Sequence, residues 1–225
     1  MKRSILLIVF IGLTNISLAQ LYEIGISVGG SNYVGDIGRT NYIYPNRPAG
    51  GAFFKYNWNP RIALRATYSY LPIQGNDADA DTDFRRAREL SFTNTIHELA
   101  VGLEYNFYEY NLSKSGKTWT PYILLELAAF NSKYVVSETA PNQYVFDNKN
   151  SIAIPFGVGV KSKLVGSLAF SFETKFRYTF DDDLDYTTST ISNLDFGGNG
   201  SDWYMFTGVS LIYTFGRPPC YKDGL

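Results

Sequence analysis

Apolar and polar residues alternate along eight segments of this chain, and an alternation with a period of two predicts β-strands. Segment 168–180 is the clearest case: Phe170 and Phe172 share one face, while Glu173 lies on the opposite face. Each segment has, or nearly has, the roughly 9–11 residues that a tilted strand needs to cross a bilayer. The eight predicted strands are 21–30, 51–58, 61–71, 97–107, 122–130, 152–161, 168–180 and 203–215.

The two faces of these predicted strands differ in chemistry. Tyr, Phe, Leu, Ile and Val dominate one face, and the charged residues lie on the other face with Gly, Ser and Thr. A soluble β-sandwich would also alternate, but its charges would lie on the outward face. An apolar outer face and a polar inner face are typical of a barrel in a membrane. The pattern therefore predicts an all-β fold, an eight-stranded antiparallel transmembrane β-barrel of OmpA-like size.

Four details of the pattern are less regular. Phe53 and Phe54 follow one another, so the two faces of segment 51–58 are hard to distinguish. Only Glu126 marks the inner face of segment 122–130. Pro155 cannot donate a ladder hydrogen bond, which predicts an early position in its strand or a bulge. Arg61 is predicted to point inward at the start of the third strand.

Composition agrees with a membrane barrel. Charged residues make up 18% of the chain, below the roughly 25% that is usual in soluble domains. No stretch after the N-terminus is apolar for the ~18 residues that a transmembrane helix needs, and a closed barrel is the other structure that satisfies its backbone in lipid. The net charge of −1 gives no case for a nucleic-acid partner.

The first 19 residues are predicted to be a cleaved secretory signal peptide. Lys2 and Arg3 form a basic end, an apolar run follows, and small residues precede the cleavage point at Ala19. An uncleaved anchor is the alternative. The predicted organisation is a signal peptide at 1–19, a barrel at 20–215 and a C-terminal tail at 216–225.

The connections between the predicted strands indicate an orientation. Short links follow the second and sixth strands, a medium link spans 108–120, and long links are predicted at 30–50, 72–95, 131–151 and 181–202. Outer-membrane barrels keep short turns in the periplasm and long loops outside. We therefore expect an outer-membrane location with both termini in the periplasm. The Gly-rich stretch 29–39 is predicted to cap the lumen, and a specific loop contact is the alternative.

Eight strands leave an interior just wide enough for side chains. Four acids and four bases lie on predicted inward positions, and buried charges persist only when they are paired. This balance predicts a lumen filled by ion pairs, while a conducting pore or a proton path is the alternative. The eight residues are Glu23, Arg65, Glu98, Glu104, Glu126, Lys161, Lys175 and Arg177.

Residues for catalysis or for cofactor and metal binding are not indicated. His97 is the single histidine, and a rim histidine with its hydrogen bonds satisfied is the preferred interpretation over a catalytic base. Alternating acids begin at Asp77, but Thr82 and Arg88 replace the Gly and the acid of a calcium loop, so a solvated outer loop is expected. We expect a protein without enzymatic activity and without cofactors.

Two stretches carry a resemblance to a known family. The opening "EIGISVGGSNYVGD" (23–36) and the final "YTFGRPPCYKDGL" (213–225), around a barrel and after a signal peptide, resemble the PorG family of Bacteroidetes outer-membrane proteins. The resemblance implies a non-enzymatic part of the type IX secretion system, which is linked to gliding motility in many of these bacteria. It also implies partners, the periplasmic ring lipoprotein PorK and its companion PorN. A generic small envelope or ligand-binding barrel is the alternative.

Two features are then expected to contact the ring. Cys220 is the only cysteine, and a leftover cysteine in an exported protein suggests an intermolecular disulfide or a free thiol. Given the resemblance, we expect Cys220 to form a tether to the ring lipoprotein, the alternative being an incidental thiol on a frayed tail. The medium link is either a longer turn or an exposed docking surface formed by Tyr108, Tyr110, Lys114, Lys117 and Trp119.

Overall fold

A computed structural model describes residues 22–110, 118–140, 143–189, 191, 194–195 and 200–216. Eight antiparallel strands form a closed ring in which each strand is hydrogen-bonded to the next and the last pairs with the first. The predicted eight-stranded barrel is confirmed. The strands are β1 (Tyr22–Val34), β2 (Arg47–Asn57), β3 (Ile62–Asn76), β4 (Ser91–Asn106), β5 (Trp119–Ala140), β6 (Gln143–Val165), β7 (Leu168–Thr179) and β8 (Trp203–Phe215).

The alternation seen in the sequence separates a lipid-facing surface from the lumen. Ile26 is 66% exposed on the outer surface, whereas Glu23 on the same strand is 1% exposed. The ambiguous pair on β2 is resolved in the same way, with Phe53 inside and Phe54 outside. Glu126 lies inside, as predicted. The apolar side chains outside form a belt around the barrel.

The strands extend further than the sequence pattern predicts. Residues 131–151, predicted as a long loop, lie almost entirely in β5 and β6, which form a hairpin beyond the rest of the barrel. Similarly, β3 continues to Asn76 and β4 starts at Ser91. The prediction relied on an apolar outer face, and this signal ends where the strands leave the membrane. Loops 35–46, 77–90 and 180–202 remain between strands, and loop 77–90 contains a 3-10 turn (Asp77–Asp79) and one helical turn, α1 (Asp83–Arg86).

Two predicted details are wrong. Pro155 is neither early in its strand nor at a bulge: it lies in the middle of β6 and pairs with Arg177 on β7. On the side of β6 that faces β5, the pairing is interrupted at Glu126 and Leu127 and then resumes in the same register. Because proline has no N–H to donate, Pro155 is accommodated in this interruption of the ladder. Arg61 does not point inward, because it lies in the turn before β3, exposed, and donates to the Phe107 carbonyl at 2.8 Å.

The two ends of the barrel differ. We call the end that carries Tyr22, Phe215 and the turns 58–61 and 166–167 the terminal rim, and the end that carries loops 35–46, 77–90 and 180–202 the loop rim. Inside, a charged layer lies toward the terminal rim. An apolar layer lies toward the loop rim and consists of Tyr33, Ile37, Leu71, Ile73, Phe92, Ile96, Ala100, Ala128, Phe130, Ala153, Leu184, Tyr204 and Phe206.

The helical turns within the described ranges are short, and none has the length and apolar character of a membrane span.

Candidate functional site

The charged layer contains more charges than the sequence predicted. The structure places all eight predicted residues in the lumen, and it adds Lys55 on β2 and Glu173 on β7. Lys55 was missed because the consecutive Phe53 and Phe54 obscured the phase of β2. Glu173 was predicted on the inner face by the alternation of its segment, but it was left out of the predicted balance of four acids and four bases. Within the described strands the layer therefore holds five acids and five bases, each at most 3% exposed.

Glu104 is the centre of the layer on the side of the terminal rim. Its carboxylate lies 2.5 Å from Lys55 Nζ and 2.7 Å from Lys161 Nζ. Arg65 Nη1 is a third cation at 3.4 Å. Glu23 lies 3.8 Å from Lys55 and accepts a hydrogen bond from the Asn57 amide at 3.0 Å. Five strands thus contribute charged side chains to this cluster, and each charge has an opposite partner.

Arg65 connects this centre to the opposite wall. Its Nη1 and Nη2 donate to the two oxygens of Glu173 at 2.6 and 3.2 Å, a bidentate geometry that fixes both groups. Tyr122 also donates to Glu173, at 2.7 Å. The guanidinium lies 4.2 Å from the centroid of the Phe53 ring, so an aromatic face covers it as well.

Glu98 and Arg177 form the pair nearest the apolar layer. Arg177 donates through Nε at 2.9 Å and through Nη2 at 3.1 Å to the two carboxylate oxygens. The Tyr204 hydroxyl donates to the same carboxylate at 2.8 Å and links the charged layer to the apolar one. Lys175 and Glu126 form a separate contact of 2.8 Å between these two groups of charges.

The predicted side-chain-filled lumen is confirmed. The cavity beside Arg65, Glu173 and Lys175 has a volume of about 10 Å³, room for at most a single water molecule. The five acids and five bases balance, so the buried layer has no net charge. Such an interior favours structural support over transport through the barrel.

At the terminal rim, Tyr110 occupies the mouth of the barrel. It is buried against Phe53, Ala169 and Ile212, and its ring centroid lies 4.6 Å from Lys161 Nζ. The prediction that Tyr110 is exposed for docking is therefore wrong, because this residue folds back into the barrel.

The other residues of the predicted docking surface have different positions. Tyr108 and Trp119 are both exposed, and their rings meet edge to face with centroids 5.4 Å apart. Lys114 and Lys117 lie outside the described residues, as do the signal peptide 1–19 and Cys220. The structure therefore leaves an exposed aromatic pair at the terminal rim.

At the loop rim, the barrel is closed by residues from two loops. Ile37 and Leu184 are buried in the apolar layer. Gly38 adopts φ +92°, which favours glycine, and its N–H donates to Asp77 at 2.9 Å. The cap predicted at 29–39 is thus limited to its second half, because residues 29–34 belong to β1. Asp77 is not solvated as expected: it is buried and pairs with Arg88 at 3.0 Å.

A carboxyl pair anchors loop 180–202 to β1. The Tyr33 hydroxyl lies 2.5 Å from Asp202 and 2.8 Å from Asp185, and Asp202 also accepts from the Leu184 N–H at 2.9 Å. Burial, with the nearby Asp185 charge, raises the pKa of Asp202 to about 9. Asp202 is therefore protonated at neutral pH, which allows two carboxyl groups to share one hydroxyl.

The remaining candidates do not form a chemical site. His97 lies exposed on the outer face of β4, and its Nδ1 is 3.0 Å from the Tyr68 hydroxyl. In the acidic stretch 180–185, Asp181 and Asp183 both contact Lys149 Nζ, at 2.5 and 3.0 Å. Within the described ranges, no three His, Cys, Asp or Glu side chains are arranged to hold a metal ion.

A closed ring of eight strands with an apolar belt and a filled lumen defines a small outer-membrane β-barrel. The fold is similar to that of Neisserial surface protein A, with 10% identity, a TM-score of 0.50, and coverage of 86% of this chain and 97% of that chain. The N-terminal barrel of Pseudomonas aeruginosa OprF (13% identity, TM-score 0.45, coverage 85% and 97%) and Ail of Yersinia pestis (12%, 0.44, 85% and 97%) also match.

Over residues 2–223 the sequence matches the family described as a domain of unknown function, DUF6089, and the chain belongs to this family. No curated protein matches the sequence.

Proposed function

We propose that this barrel is a non-enzymatic outer-membrane component of the type IX secretion machinery, and that it ties the periplasmic ring of PorK and PorN to the membrane. The observation that carries this proposal is the filled lumen. Ten paired charges and an apolar layer leave no passage for a polypeptide, so a role in secretion has to be structural. The opening and closing motifs, which resemble the PorG family, supply the identity of the machine.

The terminal rim is the side that would meet the ring. The start of β1 at Tyr22 and the end of β8 at Phe215 lie there with the short turns, which is the periplasmic arrangement of outer-membrane barrels. The tail that contains Cys220 follows Phe215 directly. The exposed pair of Tyr108 and Trp119 lies at the same rim. Aromatic side chains are enriched in protein interfaces, so this pair is suited to non-covalent docking beside a disulfide tether.

The test is a pull-down of the tagged protein from gently solubilised envelopes, with and without reductant. We expect wild type to recover the ring lipoprotein in an adduct that reductant removes, and Cys220→Ser to recover it without the adduct. A double variant, Tyr108→Ala with Trp119→Ala, is expected to lower recovery when reductant is present.

Each outcome decides part of the proposal. Recovery of the ring without any adduct in wild type keeps the machine component and rejects the tether. If no ring protein is recovered, and deletion of the gene leaves export intact, the chain is a generic small envelope barrel and the proposal fails.

A further inference from the structure

A row of polar side chains crosses the outer surface toward the loop rim. Tyr70, His97, Asn131 and Asn150 occupy four neighbouring strands and pair in register, each with the next. All four alternate with lumen-facing residues, so they point away from the barrel. Polar groups on the outside of a membrane barrel mark the height at which hydrocarbon gives way to headgroups. Lys133, two residues beyond Asn131 on the same face, adds an exposed positive charge.

A groove lies directly below this row. The next row toward the terminal rim contains Tyr68, Leu99, Ala129 and Ile152, again in register. Ala129 is the smallest of the four, and its short side chain leaves a notch between Leu99 and Ile152. The groove has a volume of about 180 Å³, and its walls are mainly apolar, with His97, Asn131 and Asn150 at its polar edge.

The polar edge retains hydrogen-bonding capacity. The Asn131 Nδ2 donates to Asn150 Oδ1 at 2.8 Å and to the Lys149 carbonyl at 3.4 Å, which positions Asn150 and leaves the Nδ2 donors of Asn150 for another partner. The Tyr68 hydroxyl engages His97 through Nδ1, which leaves Nε2 for another partner. These groups surround one end of the groove, while its other end continues into the apolar belt.

We propose that this groove binds one acyl chain of an outer-membrane lipid, and that His97 and Asn150, the latter positioned by Asn131, bind its phosphate-bearing headgroup. Continuity with the belt identifies the occupant as a lipid, because the groove opens onto the surface that the bilayer covers. The Asn150 amide donors and the Lys133 ammonium favour an anionic headgroup. This assignment is independent of any role in secretion.

The test is native mass spectrometry of purified barrels, with phosphatidylglycerol and diacylglycerol added as probes. Wild type is expected to retain one phosphatidylglycerol and to prefer it to diacylglycerol. Ala129→Leu fills the notch and displaces about two methylene groups of the chain, so we expect about tenfold weaker retention. His97→Ala removes one hydrogen bond to the headgroup and is expected to lower the preference for phosphatidylglycerol about fivefold.

Ala52→Leu is the matched control. Ala52 lies in the same row as Ala129, three strands away, beside Tyr68 and Ile26, and it is exposed on the same belt. This variant is expected to retain lipid as wild type does, and heat-dependent gel mobility verifies that each variant is folded. Equal retention by Ala129→Leu and Ala52→Leu would overturn the proposal. So would a dimer that is lost only in Ala129→Leu, since the groove would then bind a second copy of the chain.

Discussion

The pair formed by Glu98 and Arg177 offers a direct test of the charged layer. Glu98→Gln keeps the shape of the side chain and removes its charge. Arg177 is 1% exposed, and its contacts at 2.9 and 3.1 Å both end on this carboxylate. The apolar layer beside it, including Phe206, leaves only the cavity of about 10 Å³, so the guanidinium has room for at most one water molecule. Leaving a buried charge without its partner costs about 3–5 kcal/mol, and this is the expected loss of unfolding free energy.

Removing both charges should restore most of that loss. The double variant Glu98→Gln with Arg177→Met has no uncompensated charge, and Met packs well against an apolar layer. Replacement of a buried ion pair by uncharged side chains is often neutral or stabilising. We therefore expect the double variant to stay within about 1–2 kcal/mol of wild type. Since each single variant should lose about 3–5 kcal/mol, the coupling free energy between the two sites should be at least about 4 kcal/mol.

The assay is urea unfolding of the barrel in lipid vesicles, followed by tryptophan fluorescence. Glu109→Gln serves as the control, because Glu109 forms an exposed contact of 3.9 Å with Arg61 at the terminal rim. Surface pairs contribute about 0–1 kcal/mol, so this variant should be nearly neutral. The reasoning is refuted if Glu98→Gln costs no more than Glu109→Gln, or if the double variant loses the sum of the two single losses.

Three further predictions follow from the interior and the loops. Tyr204→Phe removes a hydrogen bond to a buried carboxylate and should cost about 1.5–3 kcal/mol in the same unfolding assay; a loss below that of an exposed Tyr→Phe variant would contradict it. Phe130→Ala should cost about 3–5 kcal/mol because it opens a cavity in the apolar layer, whereas Leu127→Ala on the lipid-facing side of the same strand leaves none and should cost less. The pKa of Asp202 is raised to about 9 in the folded state, against an ordinary value near 3.9 in the unfolded state. Between roughly pH 3.9 and pH 9, the folded protein therefore keeps a proton on this carboxyl that the unfolded chain has released. Stability should therefore fall as pH rises through that window, and Asp202→Asn should flatten the profile; an unchanged pH dependence would refute the protonated carboxyl.

The membrane-embedded part of the fold was predictable because lipid imposes a simple rule. Ile26 has to face lipid and Glu23 has to avoid it, so alternation identifies both strand and orientation. Beyond the belt, the outer face of β5 and β6 meets water instead of lipid, so polar residues such as Lys133 and Asn148 are accommodated there as well as apolar ones. The period-two signal disappears there, which is why the hairpin was predicted as a loop.

The contents of the lumen were predictable, but the pairing was not. Alternation along a strand tells whether a side chain points into the lumen. It does not tell how far along the barrel axis that side chain lies relative to residues on other strands. That position along the axis depends on the tilt and stagger of the strands in the closed barrel. Arg65 and Glu173 meet across 108 positions of sequence for this reason. Tyr110 gave no signal at all, because its burial results from the path of a connection and not from a repeating pattern.

The hairpin of β5 and β6 also offers a site for an inserted label that reports the orientation of the barrel in the membrane. From Asn131 to Ala140 it extends about 30 Å at roughly 3.3 Å per residue, well clear of the apolar belt. Loop tips of this kind accept inserted sequence with little effect on the core. An epitope inserted between Ala140 and Gln143 should therefore be displayed at a distance from the barrel without disturbing it. Antibody labelling of intact cells would then place this end of the barrel on the cell surface, and labelling only after permeabilisation would place it inside.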